Sequence, residues 1–288
     1  MKIRRPNRFL IAPLFCACLM VGRVPVLSAP IIDDHFDDGA IGTNTNGPGN
    51  GFNIQTESGG SVAESGSIVS VNAEAGTFTG RAAITSKDNF PLAGTPVHID
   101  VTGTNNLGNR IVFEFHQGSE EPFIGTASDW FRLDLFSSDR SGNEDDLRIT
   151  SRTDFVTGDD PSASEDDGQV EHEFMDDHGL DLTSPFTASF DLRETDYDVI
   201  LRQGGSPVTS LSDSWDGDFA LSHITDGSGL AYFSFQSQGV SGNQSNSSPT
   251  DGTAMEADID RVVVTPEPTS LALFLILGLA LLRRRGRN

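Results

Sequence analysis

The sequence predicts an all-β protein built as an antiparallel two-sheet jelly-roll sandwich. Three observations lead there. Between Ile31 and Val264 no helical period is sustained over a dozen residues, short runs alternate apolar and polar residues instead, and clusters of Gly, Asn, Ser and Asp separate those runs. About a dozen short strands without crossover helices pack most simply as sheet on sheet, and one domain of this length is normal for that architecture.

Taken in order, the chain first reads as an export signal, residues 1–29. A basic start from Lys2 to Arg8 precedes an apolar run from Phe9 to Val21 and small residues at Ser28 and Ala29. "FCAC" offers lipidation at Cys18 as an alternative, but apolar chain and then Arg23 follow it. Both cysteines, Cys16 and Cys18, lie in this leader, so the domain after it has no disulfide, thiolate nucleophile or Cys-ligated metal. Its roughly 235 residues are enough to build a core without such staples.

The domain at 30–265 carries 41 acids against 10 bases, a net charge of −31 where the whole chain has −23. That balance disfavours nucleic acid and anionic lipid surfaces, which need a basic patch. It suits a solvated protein outside the cell, where salt screens self-repulsion.

The clearest strands are "VHIDV", "RIVFEFH", "DWFRLDLF", "DLRITS", "FTASFDLR", "YDVILR", "FALSHI", "LAYFSFQ" and "ADIDRVVV". Turns are expected at "GTNTNGPGNG", "RQGGSP" and "GVSGNQSNSSPTDG", and acidic rim insertions at 137–146 and 158–173. The opening "DDHFDDGAIGTNTNGPGNGFN", the "AAITSKDNF" stretch, the "FTASFDLRETDYDVIL" hairpin and the closing "ADIDRVVV" resemble the concanavalin A-like jelly rolls of exported bacterial proteins related to laminin-G domains. The resemblance covers about 30 to 265 and rests on pattern.

The tail, 266–288, is the most specific signal. Leu271 to Leu282 are twelve apolar residues, fourteen with Thr269 and Ser270. Such a helix is roughly 21 Å long against the ~30 Å hydrocarbon core, so it spans only with snorkelling and local thinning. Pro266 and Pro268 precede it, and Arg283, Arg284, Arg285 and Arg287 follow, which keeps the C-terminus cytoplasmic. The order Pro266-Glu267-Pro268, short apolar helix and arginine cluster resembles the PEP-CTERM sorting signal. That resemblance implies an exosortase-type protease as partner, transient anchoring in the membrane, cleavage at or near Pro266–Pro268, and release to the cell envelope or an extracellular exopolysaccharide matrix.

Strand alternation then sorts the polar groups. With Phe131, Leu133 and Leu135 on the core side, Trp130, Arg132 and Asp134 point away; Glu114 and His116 oppose Phe113 and Phe115; Tyr232, Ser234 and Gln236 oppose Phe233 and Phe235. If these strands adjoin, they make an aromatic and polar surface of the kind that stacks sugar rings and hydrogen-bonds hydroxyls. The competing reading is an ordinary wet sheet face.

The catalytic candidates are Glu256, Asp258 and Asp260 at i, i+2 and i+4, with successive spacings of roughly 6.6 Å. They resemble the E-x-D-x-x-E signature of jelly-roll β-glucanases, with the last acid one residue early and the motif on the final strand. If the first and last strands adjoin, Asp34 and Asp37 approach Asp258 and Asp260 and offer oxygen ligands to a structural Ca²⁺. There is no GxSxG, HExxH or phosphate-binding glycine loop, and the six His lack ligand spacing.

The expectation is therefore an exported bacterial surface or extracellular-matrix protein whose jelly roll is non-catalytic and either binds carbohydrate or acts as an adhesive. The alternatives are a glycoside hydrolase-like enzyme using the last-strand carboxylates and a purely structural matrix protein.

Overall fold

In the computed structural model, residues 29–57, 59–73, 81–104, 110–117, 129–136, 147–152, 169–216, 219–238 and 255–266 are described. They lie in one compact unit, Ala29–Glu267. The leader and tail expectations, Ala29 and Pro266 excepted, lie outside the described residues, as do the insertion at 137–146 and most of that at 158–173. No helix among the described residues is long and apolar enough to cross a membrane.

In chain order the strands are β1 (Ile32–Asp34), β2 (Phe52–Glu57), β3 (Ser61–Glu64), β4 (Val69–Ala73), β5 (Arg81–Ser86), β6 (Phe90–Pro91), β7 (Val97–Thr104) and β8 (Arg110–His116). They continue as β9 (Trp130–Phe136), β10 (Leu147–Arg152), β11 (Gln169–Met175), β12 (Phe186–Leu192), β13 (Asp196–Gln203), β14 (Ser206–Ser214), β15 (Leu230–Gln238) and β16 (Met255–Val264). Two antiparallel sheets result. The first runs β14-β13-β12-β7-β16-β4-β3, with β1 also on β16; the second runs β11-β10-β9-β8-β15-β5-β2, with β6 on β15. This is the expected two-sheet sandwich.

Alternation drives the packing. Phe113, Phe115, Phe131, Phe233 and Phe235 from the second sheet are fully buried, as are Ile99, Val199 and Leu201 from the first. Phe190 of β12 reaches across the interior to Phe113 (5.5 Å between ring centres) and Phe115 (5.2 Å), so aromatic contacts join the two layers.

Turn chemistry fixes the register. The β13–β14 hairpin closes on Gly204 (φ +58°) and Gly205 (φ +80°), the two left-handed positions of a type I′ turn. At the β12–β13 turn, Arg193 bridges Asp191 (2.7 Å), Asp198 (2.7 Å) and Asp196. Gly103 (φ +138°) lies beside the β7–β16 register shift, where a Cβ would meet the Thr183 carbonyl oxygen at 2.8 Å.

Two element expectations are corrected. "FALSHI" is not a strand: Leu221–His223 is a 3₁₀ turn that buries Leu221 and Ile224 three residues apart. Part of the 158–173 insertion is strand, since β11 begins at Gln169 and pairs with β10.

β1 lies against β16, as expected, and Arg261 grips Asp33 through Nε (3.0 Å) and Nη2 (3.2 Å). Asp34 is buried beside them. Its Oδ1 accepts the Phe36 N–H (2.9 Å) and its Oδ2 has no partner. Burial, with repulsion from Asp38, Glu64 and Asp37, pushes this carboxyl up to about 6. The folded chain therefore holds the proton more tightly than the unfolded chain, and stability falls as pH rises from about 4 to about 6. Asp34→Asn should raise stability by about 1–2 kcal/mol at pH 7.5 and change little at pH 4. Thermal melts at the two pH values check this; equal gains at both would assign the effect to something other than ionisation.

Candidate functional site

The polar face of the second sheet gathers the expected residues. β9, β8 and β15 are neighbours, and their registers set Trp130, His116 and Tyr232 in one row across the strands. The next row holds Arg132, Glu114 and Ser234, and the one after it Asp134, Val112 and Gln236. Each strand supplies these groups because its other parity is apolar and committed to the core.

Glu114 is the centre of the face. It is fully buried, and its Oε2 accepts from Arg132 Nε and from Gln236 Nε2 (3.1 Å), while Oε1 has no hydrogen-bond partner. The Arg132 guanidinium also stacks 4.1 Å from the Trp130 ring centre. His116 is completely buried and stacks on Tyr232 (6.0 Å between ring centres), and neither of its nitrogens makes a hydrogen bond of normal geometry. Burial lowers its pKa, so the ring is neutral at physiological pH. Asp134 pairs with Arg110 at 3.6 Å.

This is not the ordinary wet sheet face that alternation alone would allow. Glu114, His116, Asp134, Thr150, Ser234 and Gln236 are buried, while Trp130, Arg132 and Tyr232 remain part-exposed above them. A closed polar floor with a part-open aromatic rim is costly to build unless its groups have partners or work to do.

Sequence reasoning missed the arginines of the same face. The registers place Arg81 of β5, Arg110 of β8, and Arg148 and Arg152 of β10 on the side that carries Glu114 and Arg132. The signal was present, since the alternation that sorted Glu114 from Phe113 also sorts Arg110 from Ile111 and Arg148 from Ile149.

The last-strand acids are elsewhere. β16 belongs to the first sheet, so Asp258 and Asp260 cannot share a cleft with Trp130 or Tyr232 of the second. Ala257, Ile259, Val262 and Val264 of that strand face the core, which turns the two aspartates to the outer side. Asp258 accepts from Ser70 Oγ (2.6 Å), and Asp260 lines an open cavity of about 300 Å³ with Asp100, Thr187 and Arg202. Glu256 pairs with Asn72 in the same sheet. A single strand's parity shows which residues share a face but not which sheet that strand joins.

The calcium expectation is corrected by the same geometry. Asp34 sits opposite Val262 and shares its inward side, whereas Asp258 and Asp260 face outward, and Asp37 is bonded to Asn46 (2.6 Å). Among the described residues no group of three His, Cys, Asp or Glu could hold a metal ion.

No protein-family model matches the sequence, and no curated protein is similar to it in sequence. Solved structures are similar in fold. The laminarinase catalytic domain of Thermotoga maritima superposes with a TM-score of 0.54 at 10% identity, covering 84% of this chain and 99% of that one. A glycoside hydrolase family 16 endo-glucanase from Bacteroides ovatus gives 0.51 at 11%, covering 81% and 99%. A Mycobacterium tuberculosis immunostimulatory antigen and pseudo beta-1,3-glucanase gives 0.50 at 12%, covering 83% and 100%. At these identities the likeness is one of fold. It nonetheless corrects the expectation of a non-enzymatic binding or adhesive sandwich, because the neighbours include catalytic domains of glycoside hydrolases.

Proposed function

We propose that this chain is a glycoside hydrolase-like jelly roll acting on a polysaccharide at the polar face of the second sheet, with Glu114 as its principal carboxylate. The observation that carries the reading is the state of Glu114: fully buried, oriented through Oε2 by Arg132 and Gln236, and left with an unpartnered Oε1. The Arg132 guanidinium and the Gln236 amide both bond Oε2 and fix the carboxylate plane, which leaves Oε1 to take a proton from water.

Asp134 is the second carboxylate. It lies diagonally from Glu114 across the β8–β9 pair, a separation of roughly 7–8 Å along the backbone. Pairs separated by that order of distance act with a water between them, one removing its proton while the other protonates the departing glycosidic oxygen. Water's oxygen then joins the anomeric carbon as the glycosidic bond breaks. Trp130 and Tyr232, two strands apart in one row, supply ring faces for sugar units on either side of His116.

The proposal includes export and sorting, which the leader and the Pro266-Glu267-Pro268 tail support by sequence alone. The protein would reach the envelope or extracellular matrix, where polysaccharide is at hand.

Reducing-end release from laminarin and mixed-linkage β-glucan tests the reading. Wild-type protein should release sugar, and Glu114→Gln should lower the rate by about 10²–10⁴-fold with melting behaviour preserved. A folded wild type that cleaves no polysaccharide, or a Glu114→Gln variant as fast as wild type, would overturn it.

A further inference from the structure

Half of the domain's ten basic residues face one way. Arg81, Arg110, Arg132, Arg148 and Arg152 stand on four strands of the second sheet, all on the side of Glu114, within a domain of net charge −31. Chance placement over two sheets and many loops would scatter them. On this face the acids of the described strands are Glu57, Glu114, Asp134 and Glu171. The face is thus the one region of described sheet where cations are not outnumbered.

The guanidiniums are close enough to act on one another. Arg110 is held below the ordinary arginine range by its burial, with Asp134 opposing and Arg132, Arg81 and Arg148 adding repulsion. Arg132 is matched by Glu114 and Arg110 by Asp134. Arg148 is different. It has no carboxylate partner among the described residues; its guanidinium lies 5.5 Å from the Phe136 ring centre and 5.2 Å from that of Phe174, and its Nε makes no hydrogen bond. Phe174 itself is 42% exposed, so this aromatic cradle opens to solvent. Two rings hold a cation in place without neutralising it, which leaves its charge and its donors for an incoming anion.

We propose that the polysaccharide taken by this face carries anionic groups, carboxylate or sulfate ester, and that Arg148 is the residue that receives one of them. The proposal rests on the hydrolase reading only for the location of the site. A cradle at Arg148 lies in the row of Asp134 and Gln236, one strand from Asp134, so a charged substituent there belongs to a sugar next to the carboxylates. A planar fork donor suits both carboxylate and sulfate, and the surrounding negative charge of the domain would reject polyanions that fail to reach it.

Affinity electrophoresis and calorimetry on the full chain test this, with polygalacturonate and alginate as the carboxylate arm, carrageenan as the sulfate arm, and laminarin as the neutral control. One of the two arms should bind more tightly than laminarin, weakening as NaCl is raised. Arg148→Gln should weaken that binding about ten-fold and leave laminarin unchanged. Arg202→Gln, which removes one positive charge from the other sheet, should leave both unchanged. Laminarin bound as well as either polyanion, or polyanion binding indifferent to Arg148→Gln, would overturn the proposal even if laminarin is cleaved. Polyanion binding lost with Arg148→Gln supports it even if no polymer is cut, in which case the hydrolase reading alone fails.

Discussion

Trp215→Ala should lower the unfolding free energy by about 3–5 kcal/mol and the melting temperature by roughly 8–15 °C. Trp215 closes the space between the sheets at one end of the sandwich. Its ring lies 4.9 Å from Tyr197 of β13 in the first sheet, and 5.4 Å from both Phe131 of β9 and His172 of β11 in the second. Phe219 completes the group at 4.8 Å, and the indole Nε1 donates to the Arg193 carbonyl (2.9 Å). Truncation would remove contacts to both layers at once, and the rings of Tyr197, Phe131 and His172 are each fixed by a strand and cannot move in to fill the gap. Trp215→Phe should retain most of the packing and lose about 1 kcal/mol through the hydrogen bond. Since the chain has two tryptophans, that variant also leaves Trp130 as the single indole reporter of the polar face. A Trp215→Ala loss under about 1 kcal/mol would mean that the cluster does not join the sheets.

The same cluster marks where sequence reading stops. Runs such as "RIVFEFH" and "DWFRLDLF" were legible because one parity is wholly apolar and must meet a core. β14 was not: it is an edge strand, and Thr209 is its only buried residue, so alternation leaves no trace in Ser206–Ser214. β11 hid in an acidic stretch because a register shift beside Ile149 interrupts its alternation and His172 takes a core position. That histidine is pushed down to about 4 by burial and binds Ser151 Oγ (2.8 Å) and the Asp216 N–H (3.1 Å), so in place it behaves as a neutral aromatic. The composition of "FALSHI" permits either a strand or a 3₁₀ turn, and only the packing of Leu221 and Ile224 decides.

For the site, face membership was legible and sheet membership was not. Glu114, His116, Trp130, Arg132, Asp134, Tyr232 and Gln236 could be grouped because each sits opposite a phenylalanine, a leucine or a second aromatic in its own strand. Nothing in "MEADID" told that β16 would pair with β4 and β7 rather than with β8, and its acids looked more like a reaction centre than the lone Glu114 did. A buried carboxylate is a three-dimensional fact. It depends on Arg132 and Gln236 arriving from two other strands, each separated from Glu114 by many residues of chain.

That dependence gives the second large effect. Arg132→Met should cost about 3–5 kcal/mol at neutral pH, because it removes the guanidinium bonded to the fully buried Glu114 and leaves Gln236 as the remaining hydrogen-bond donor to that carboxylate among the described residues. The methionine keeps the length and the contact with Trp130, so lost packing adds little. In that variant the carboxyl can escape the penalty by taking up a proton, since burial without a cationic partner favours the neutral form. For a carboxyl held toward that form, stability is recovered as pH falls and lost as pH rises from the unfolded toward the folded pKa. The defect in Arg132→Met should therefore shrink at acid pH, whereas a packing defect would not titrate. The double variant Glu114→Gln/Arg132→Met removes the charge that needs a partner and should recover most of the stability, giving a coupling energy of about 2–3 kcal/mol between the two positions. Denaturant unfolding of the two single variants and the double variant at pH 5 and pH 7.5 measures this directly. Additive losses with no pH dependence would mean that Arg132 does not hold the Glu114 charge, and the orientation of Oε1 toward a substrate would lose its physical basis.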